Sequence, residues 1–221
     1  PAILGLNDDR EAFAPTHPVL GPIARRHAGL RLPRTGLVLR ELVPAILGQL
    51  VTWREASAAH RGLVSRYGEP APGPHGLLLP PSAPTLAALP MSRFQEVGAL
   101  GKAARTIKAV CAVAGRMEEA AAMGAEDALT RLQAMPGVGP WTAAAVVSIT
   151  HGHADGVQVG DYHLPNLVAF GLAGEPRADD ARMLELLAEF APHRGGVPGL
   201  LHAAGVKAPS YGPKMEARGV F

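Results

Sequence analysis

The sequence predicts an all-α protein. Three observations carry that reading: apolar residues recur at intervals of three and four, proline and glycine fall between those runs, and no alternating segment is long enough to build a parallel sheet. With 221 residues the chain can bury a sizeable core in one domain or in two small lobes. Its 26 Gly and 21 Pro, scattered rather than clustered, suit many short helices joined by tight turns.

The longest periodic segment runs from Val38 to about Tyr67, with Leu39, Leu42, Val43, Ile46, Leu47 and Leu50 forming one stripe and Gly68 as its stop. Glu69 to Pro84 is rich in Pro and Gly and reads as a loop. Ala103, Ile107, Val110 and Ala114 give a second helical face, and Leu129 and Leu132 a short third one that Met135-Pro136 ends. Pro140 opens another helix, where its missing N–H costs nothing, with Val146, Val147 and Ile149 as its apolar residues and Gly152 as its stop. Val157-Gln158-Val159 is extended. Pro165 starts a further helix, Asp179 caps the run Met183, Leu184, Leu186, Leu187 and Phe190, and a last helix contains Val197, Leu200 and Leu201 before Gly205.

Composition excludes several classes. One cysteine, Cys111, cannot form an internal disulfide or supply a four-cysteine zinc or iron-sulfur site, and it fits a reducing compartment, so the cytoplasm is expected, with the nucleoid if the source is bacterial. No apolar run approaches the roughly 20 residues of a membrane span, so no membrane partner is expected. The chain begins at Pro1 with no signal-peptide pattern after it. The net charge of +2 gives no overwhelming basic field, so a polyanionic partner must be met by local charge.

Chemistry concentrates in Leu132 to Ala143, LQAMPGVGPWTA, which reads as a helix end, a Pro-Gly-Val-Gly turn and a helix start. Gly137, Val138 and Gly139 fall where unpaired amide N–H groups and the positive end of the next helix dipole converge on one anion, a geometry that suits a DNA phosphate. An ordinary αα-hairpin with turn glycines is the other reading of the same residues.

LQAMPGVGPWTA followed by GDY at 160–162 resembles the helix-hairpin-helix and catalytic-aspartate signature of the helix-hairpin-helix DNA glycosylase superfamily, and ILGQLV at 46–51 resembles the segment with which that superfamily fills the gap in DNA. The similarity runs from about Gly36 to Gly205, includes APHRG at 191–195, and is strongest to the 3-methyladenine DNA glycosylase II branch. It implies a two-lobed helical fold with an active-site cleft between the lobes: residues 36–152 with the wedge segment and the hairpin, and residues 1–35 plus 153–221 with the catalytic aspartate.

The resemblance also implies roles. Asp161, 22 residues after Gly139, would face the sugar of the flipped nucleotide, stabilise positive charge at C1′ and position or deprotonate a water. A helix-cap aspartate before Pro165 is the alternative. Trp141, with Thr142, stands where lyase-competent relatives carry a lysine, and no lysine occurs between Arg131 and His163, so a monofunctional enzyme without AP-lyase activity is expected. The indole, with Tyr162 and His163, is expected to line the base pocket, unless it is simply a core tryptophan. Gln49 and Leu50 match the pair that enters the vacated stack, although Leu50 also fits the buried stripe of its helix.

Phosphate contacts are expected from Gly137, Val138, Gly139, Lys102 and Arg105; Lys108 and the acid-free run of Arg25, Arg26, Arg31, Arg34 and Arg40 offer more, with solvated surface charge as the alternative for each. By carry-over, the carbonyls of Gln133, Met135 and Val138 would hold a Na+ or K+ ion. No other cofactor is expected, and four cysteines for an iron-sulfur cluster are lacking. His151 and His153, with Asp155, Asp161 and His163 nearby, form a weak metal pattern that helix-end histidines explain as well. Two departures from the family bear on lesion choice: Ala145 stands where an aromatic is frequent, and Gly160 where a second acid is.

The sequence thus leads to a monomeric glycosylase that flips N-alkylated purines (3-methyladenine or 7-methylguanine type) out of damaged duplex DNA and hydrolyses their N-glycosidic bonds in base excision repair. A glycosylase for deaminated or oxidised bases, or a non-catalytic structure-specific DNA-binding protein, is the alternative.

Overall fold

The computed structural model describes residues 1–8 and 12–209 of the chain. Twelve α-helices make up most of the described residues: α1 (Leu20–Arg26), α2 (Val38–Leu47), α3 (Trp53–Tyr67), α4 (Ala83–Ala88), α5 (Met91–Glu96), α6 (Gly101–Ala112), α7 (Ala114–Glu118), α8 (Ala125–Gln133), α9 (Pro140–His151), α10 (Leu164–Ala173), α11 (Asp180–Leu187) and α12 (Gly196–Ala203). Two compact units contain them, one of Pro1–Gly36 with the chain from Val147 on, the other of Leu37–Val146. The division falls inside α9, between Val146 and Val147.

In the unit Leu37–Val146, α6 is the central element and packs on α2, α4 and α5. Leu42, Ile46, Leu63, Phe94, Ile107, Met117 and Leu132 are fully buried there, so the apolar stripes, Leu50 apart, face inward. α2 begins where Glu118, at the end of α7, accepts the N–H groups of Val38 (3.1 Å) and Leu39 (2.8 Å), satisfying two donors that have no intrahelical partner.

The helix expected from Val38 to Tyr67 is two helices. α2 stops at Leu47, the chain turns through residues 48–52, and α3 restarts at Trp53 on a reciprocal cap: Thr52 Oγ1 accepts the Glu55 N–H (3.2 Å) and Glu55 Oε2 accepts the Thr52 N–H (2.8 Å). The stretch expected as loop from Glu69 to Pro84 holds a two-stranded antiparallel pair, β1 (Glu69–Pro70) and β2 (Leu78–Leu79), in register Glu69 opposite Leu79. A Cβ on Gly68 would stand 2.3 Å from Val64 O and 2.5 Å from Leu79 O, which makes the glycine necessary at that junction.

In the other unit, α10 packs on α11 and α12, and α1 on α12. Leu20, Val168, Met183, Leu187, Val197 and Leu201 form its core. The caps match expectation: Asp179 accepts the Arg182 N–H (2.9 Å), and Pro165 lies in the first turn of α10. The carbonyls of Ile149 and Thr150 at the end of α9 accept N–H groups from Thr35 (3.1 Å) and Gly36 (3.0 Å). Val157–Val159 joins no strand. No helix among the described residues is long and apolar enough to cross a membrane.

Candidate nucleic-acid interface and candidate catalytic aspartate

Between α8 and α9 the chain turns as its sequence requires. Proline at 136 ends α8, the Val138 N–H donates to Met135 O (3.0 Å), and Gly137 takes φ +89°, a conformation that L side chains rarely adopt. Val138 points inward and is buried, so it anchors the turn while its neighbours Gly137 and Gly139 present backbone. The two glycines are not equivalent. A Cβ on Gly137 would stand 2.2 Å from Thr106 Oγ1 on α6, whereas one on Gly139 would meet nothing within 4 Å. Close approach is therefore a property of Gly137 alone. Gly139 O accepts the Ala143 N–H (3.0 Å), and the positive end of the twelve-residue α9 dipole lies at this turn.

Gln49 is tied to this hairpin. Its Nε2 donates to Gly137 O (2.9 Å) and to Oγ1 of the buried Thr142 (2.9 Å), so both amide hydrogens are committed to α9 and its turn. Gln49 therefore joins the ILGQLV segment to the hairpin, a contact that segment's expected entry into DNA did not suggest. Gly48 is packed by the Trp141 ring, whose Cη2 lies 3.8 Å from the place of a Cβ. Trp141 itself is half-buried.

Leu50 does not lie on the buried stripe of a helix. It is 76% exposed, and with φ 59° it is the one non-glycine residue with positive φ among the described residues. Trp53, three residues on, is 84% exposed. The capping pattern Thr52–Glu55 was legible in the sequence and would have placed Trp53 at the start of a new helix rather than inside an old one.

The basic residues separate into two kinds. Lys102 and Arg105 are exposed on α6, and Lys102 lies one turn before Thr106, the residue against which the hairpin packs. Lys108 is committed elsewhere: its Nζ donates to Ala87 O and, at 2.5 Å, to Leu89 O, closing the end of α4. Arg31 reaches Asp8 O at 3.3 Å.

In the other unit, Asp161 follows a glycine with φ +88°. Its Oδ1 accepts two backbone N–H groups, from His163 (2.7 Å) and Leu164 (2.9 Å), at the start of α10. The carboxylate is thus a cap, and the same two bonds fix its orientation. Asp180 Oδ2 accepts the Gly160 N–H (3.0 Å), and Asp180 Oδ1 is buried with no hydrogen-bond partner among the described residues. Tyr162 is 83% exposed, and its ring meets that of His163 edge to face with centroids 4.9 Å apart.

The loop that leads to Asp161 is braced from APHRG. Arg194 forks onto Asp155, with Nε to Oδ1 at 2.8 Å and Nη2 to Oδ2 at 2.5 Å, and its backbone N–H adds a third bond to Oδ1 (3.1 Å). The hydrogen bonds from Arg194 hold the Asp155 carboxyl below its ordinary value. Gly195 is packed onto the same loop, where a Cβ would stand 2.3 Å from Gly156 O.

The histidines do not assemble a metal centre: His151 Nδ1 is 2.7 Å from Thr150 Oγ1, and among the described residues no group of three His, Cys, Asp or Glu is placed to hold an ion. The carbonyls of Gln133, Met135 and Val138 are neutral oxygens of the kind Na+ or K+ takes. Met135 O already accepts the Val138 N–H and retains its second lone pair.

No protein-family model matches the chain. The probable bifunctional transcriptional activator/DNA repair enzyme AlkA of Mycobacterium tuberculosis is 33% identical over 188 residues, covering 80% of this chain and 36% of that protein. The chain therefore spans about a third of the length of the curated relatives it matches. Among solved structures, the 3-methyladenine DNA-glycosylase from Archaeoglobus fulgidus superposes with a TM-score of 0.75 at 21% identity, over 90% of this chain and 70% of that one. The Clostridium acetobutylicum 8-oxoguanine glycosylase/lyase in complex with dsDNA gives 0.74 at 16% identity, over 92% and 72%. At these identities the likeness to the solved structures is one of fold.

Proposed function

From a chain that has the helix-hairpin-helix DNA glycosylase fold, we propose a monofunctional DNA glycosylase that releases N-alkylated purines from duplex DNA in base excision repair. The observation that carries this reading is Asp161, a carboxylate oriented by the N–H groups of His163 and Leu164 at the place where the superfamily's signature has its catalytic aspartate. The relative called a DNA repair enzyme supports a role in DNA repair.

The mechanism follows from what these residues can do. A nucleotide turned out of the stack presents C1′ to Asp161, and the bond from C1′ to an alkylated purine nitrogen breaks ahead of attack, because the base already carries positive charge and leaves as a neutral molecule. The Asp161 carboxylate stabilises the positive charge that develops on the sugar, and a water held by the carboxylate adds to C1′ and gives up a proton to that carboxylate, leaving an abasic site. Such a substrate needs no strong general acid. With no lysine between Arg131 and His163, no amine in that stretch is available to form a Schiff base, so the strand stays intact.

DNA is held outside the reacting centre. The N–H groups of Gly137 and Gly139 and the start of α9 take a backbone phosphate, the expected Val138 N–H being already held by Met135 O; Lys102 and Arg105 take others, and Leu50 fills the vacated stack. A Na+ or K+ ion on the carbonyls of Gln133, Met135 and Val138 would supply a positive charge between hairpin and phosphate.

The test is single-turnover release of free base from methylated duplex DNA, with wild type compared with Asp161→Asn and abasic sites scored by later alkaline cleavage. Release that falls at least roughly a hundredfold in the variant is expected, the scale of a lost charge-stabilising group. Release from oxidised or deaminated DNA instead would move the substrate class. Binding without release from any lesion would leave a DNA-binding protein, and strand cleavage trapped by borohydride would overturn the monofunctional assignment.

A further inference from the structure

Flipping a nucleotide out of duplex DNA creates two problems: the vacated position must be filled, and the base opposite is left without a partner. Leu50 answers the first. Nothing in the family signature addresses the second in this chain, yet the same turn carries another apolar side chain in water.

Trp53 is the most exposed of the large apolar residues in the unit Leu37–Val146, and Leu50 is the next, among the described residues. An exposed indole leaves on the order of 200 Å² of surface without a protein partner. Neither residue is on a loose segment. Leu50 is held in a strained backbone conformation, Gln49 before it is bonded to Gly137 and Thr142, and Thr52 after it closes the reciprocal cap with Glu55. Both side chains are therefore presented outward from a turn braced on each side. Three virtual bonds of about 3.8 Å separate their α-carbons, a reach of at most about 11 Å. At about 3.4 Å per base step, that keeps both prongs within a few steps of one position in a duplex.

The chemistry around the turn selects the occupant. Arg54 is exposed beside Trp53, and through Gln49 the turn is bonded to the hairpin that packs on α6, where Lys102 and Arg105 are exposed. An aromatic face beside a cation, on a turn bonded to a hairpin next to further exposed cations, fits a nucleobase within its phosphate backbone rather than an apolar protein surface. The base opposite the flipped nucleotide has lost its pairing partner, and a wedge that opens the step beside it uncovers one of its faces.

We infer that Trp53 is a second prong of the wedge, stacking on the orphaned base opposite the flipped nucleotide. The inference rests on the DNA-binding reading above. Because every base has a π-face, this contact tolerates any opposing base, and the protein discriminates little among the four.

The experiment uses the whole chain and a duplex carrying one tetrahydrofuran abasic analogue opposite 2-aminopurine, a probe that requires no base release. Binding of wild type is expected to change the 2-aminopurine emission, Trp53→Phe to keep that change, and Trp53→Ala to lose it while weakening the duplex Kd on the order of tenfold. The Kd for the abasic single strand, which has no opposing base, should stay within twofold in all three proteins. An unchanged duplex Kd and an unchanged emission response in Trp53→Ala would overturn the inference and leave Trp53 to a protein partner, while wild-type binding and base release would still support the enzyme. Equal weakening for duplex and single strand would also overturn it. Failure of wild type to bind the duplex at all would sink the DNA reading and this inference with it.

Discussion

Gly137 and Thr106 are packed so closely that a single methyl group between them is excluded: a Cβ on the glycine would overlap the threonine hydroxyl oxygen at 2.2 Å. The turn of the hairpin is thereby seated on α6. Gly137→Ala combines that overlap with a backbone at φ +89°, and the variant is expected to lose roughly 2–5 kcal/mol in urea unfolding. Adding Thr106→Ala should restore only part of the loss, because it relieves the contact and not the φ angle. Full restoration would show that the dihedral is without cost.

Leu50 gives a prediction of opposite sign. Its backbone is in the left-handed region and its side chain is mostly in water, so Leu50→Gly removes strain and little packing. The variant should be as stable as wild type or up to about 1 kcal/mol more so, after the entropy that glycine adds to the unfolded chain. Release of base from duplex DNA should nevertheless fall. A drop in Tm of several degrees would mean that Leu50 belongs to the core.

Asp180 acts on Asp161 through one peptide, since its Oδ2 accepts the Gly160 N–H. Asp180→Ala should lower the single-turnover rate by roughly three- to tenfold, with DNA affinity unchanged, and Asp180→Asn, which keeps an acceptor oxygen, should restore most of the rate. Equal losses in the two variants would assign the effect to charge rather than to the hydrogen bond.

The Arg194–Asp155 fork makes stability depend on pH in one direction. The Asp155 carboxyl is held below its ordinary value, so its contribution is complete above the unfolded carboxylate pKa, about 4, and is lost as pH falls through the lower folded value. The stability gap between wild type and Arg194→Gln should be constant from pH 7 to about pH 5 and shrink below pH 4. A gap that widened in acid would reverse the assignment.

Much of this architecture was legible because helix faces repeat. The stripes of α6, α8 and α11, the cap at Asp179 and the Pro-Gly turn before α9 each follow from local chemistry. The break between α2 and α3 was hidden, because Leu47 and Leu50 continue the helical period across it, and a leucine with positive φ is not something propensity favours. Gly137 and Gly139 look alike in sequence and differ only in what α6 places beside them. Lys108 reads as surface charge until the end of α4 supplies the carbonyls that take it. In the same way Asp161 reads as cap or as catalyst: the two bonds it accepts are those of a cap, and the catalytic role rests on the proposal above.

Glu118 bears on how the molecule can be divided. Its two oxygens close the first turn of a helix whose residues lie 80 and 79 positions earlier in the chain. A fragment ending before residue 118 would leave α2 frayed at its start, and one beginning after it would lack the turn that Gln49 fastens to the hairpin. A piece meant to carry the hairpin with its bracing turn must therefore hold α2 and Glu118 together.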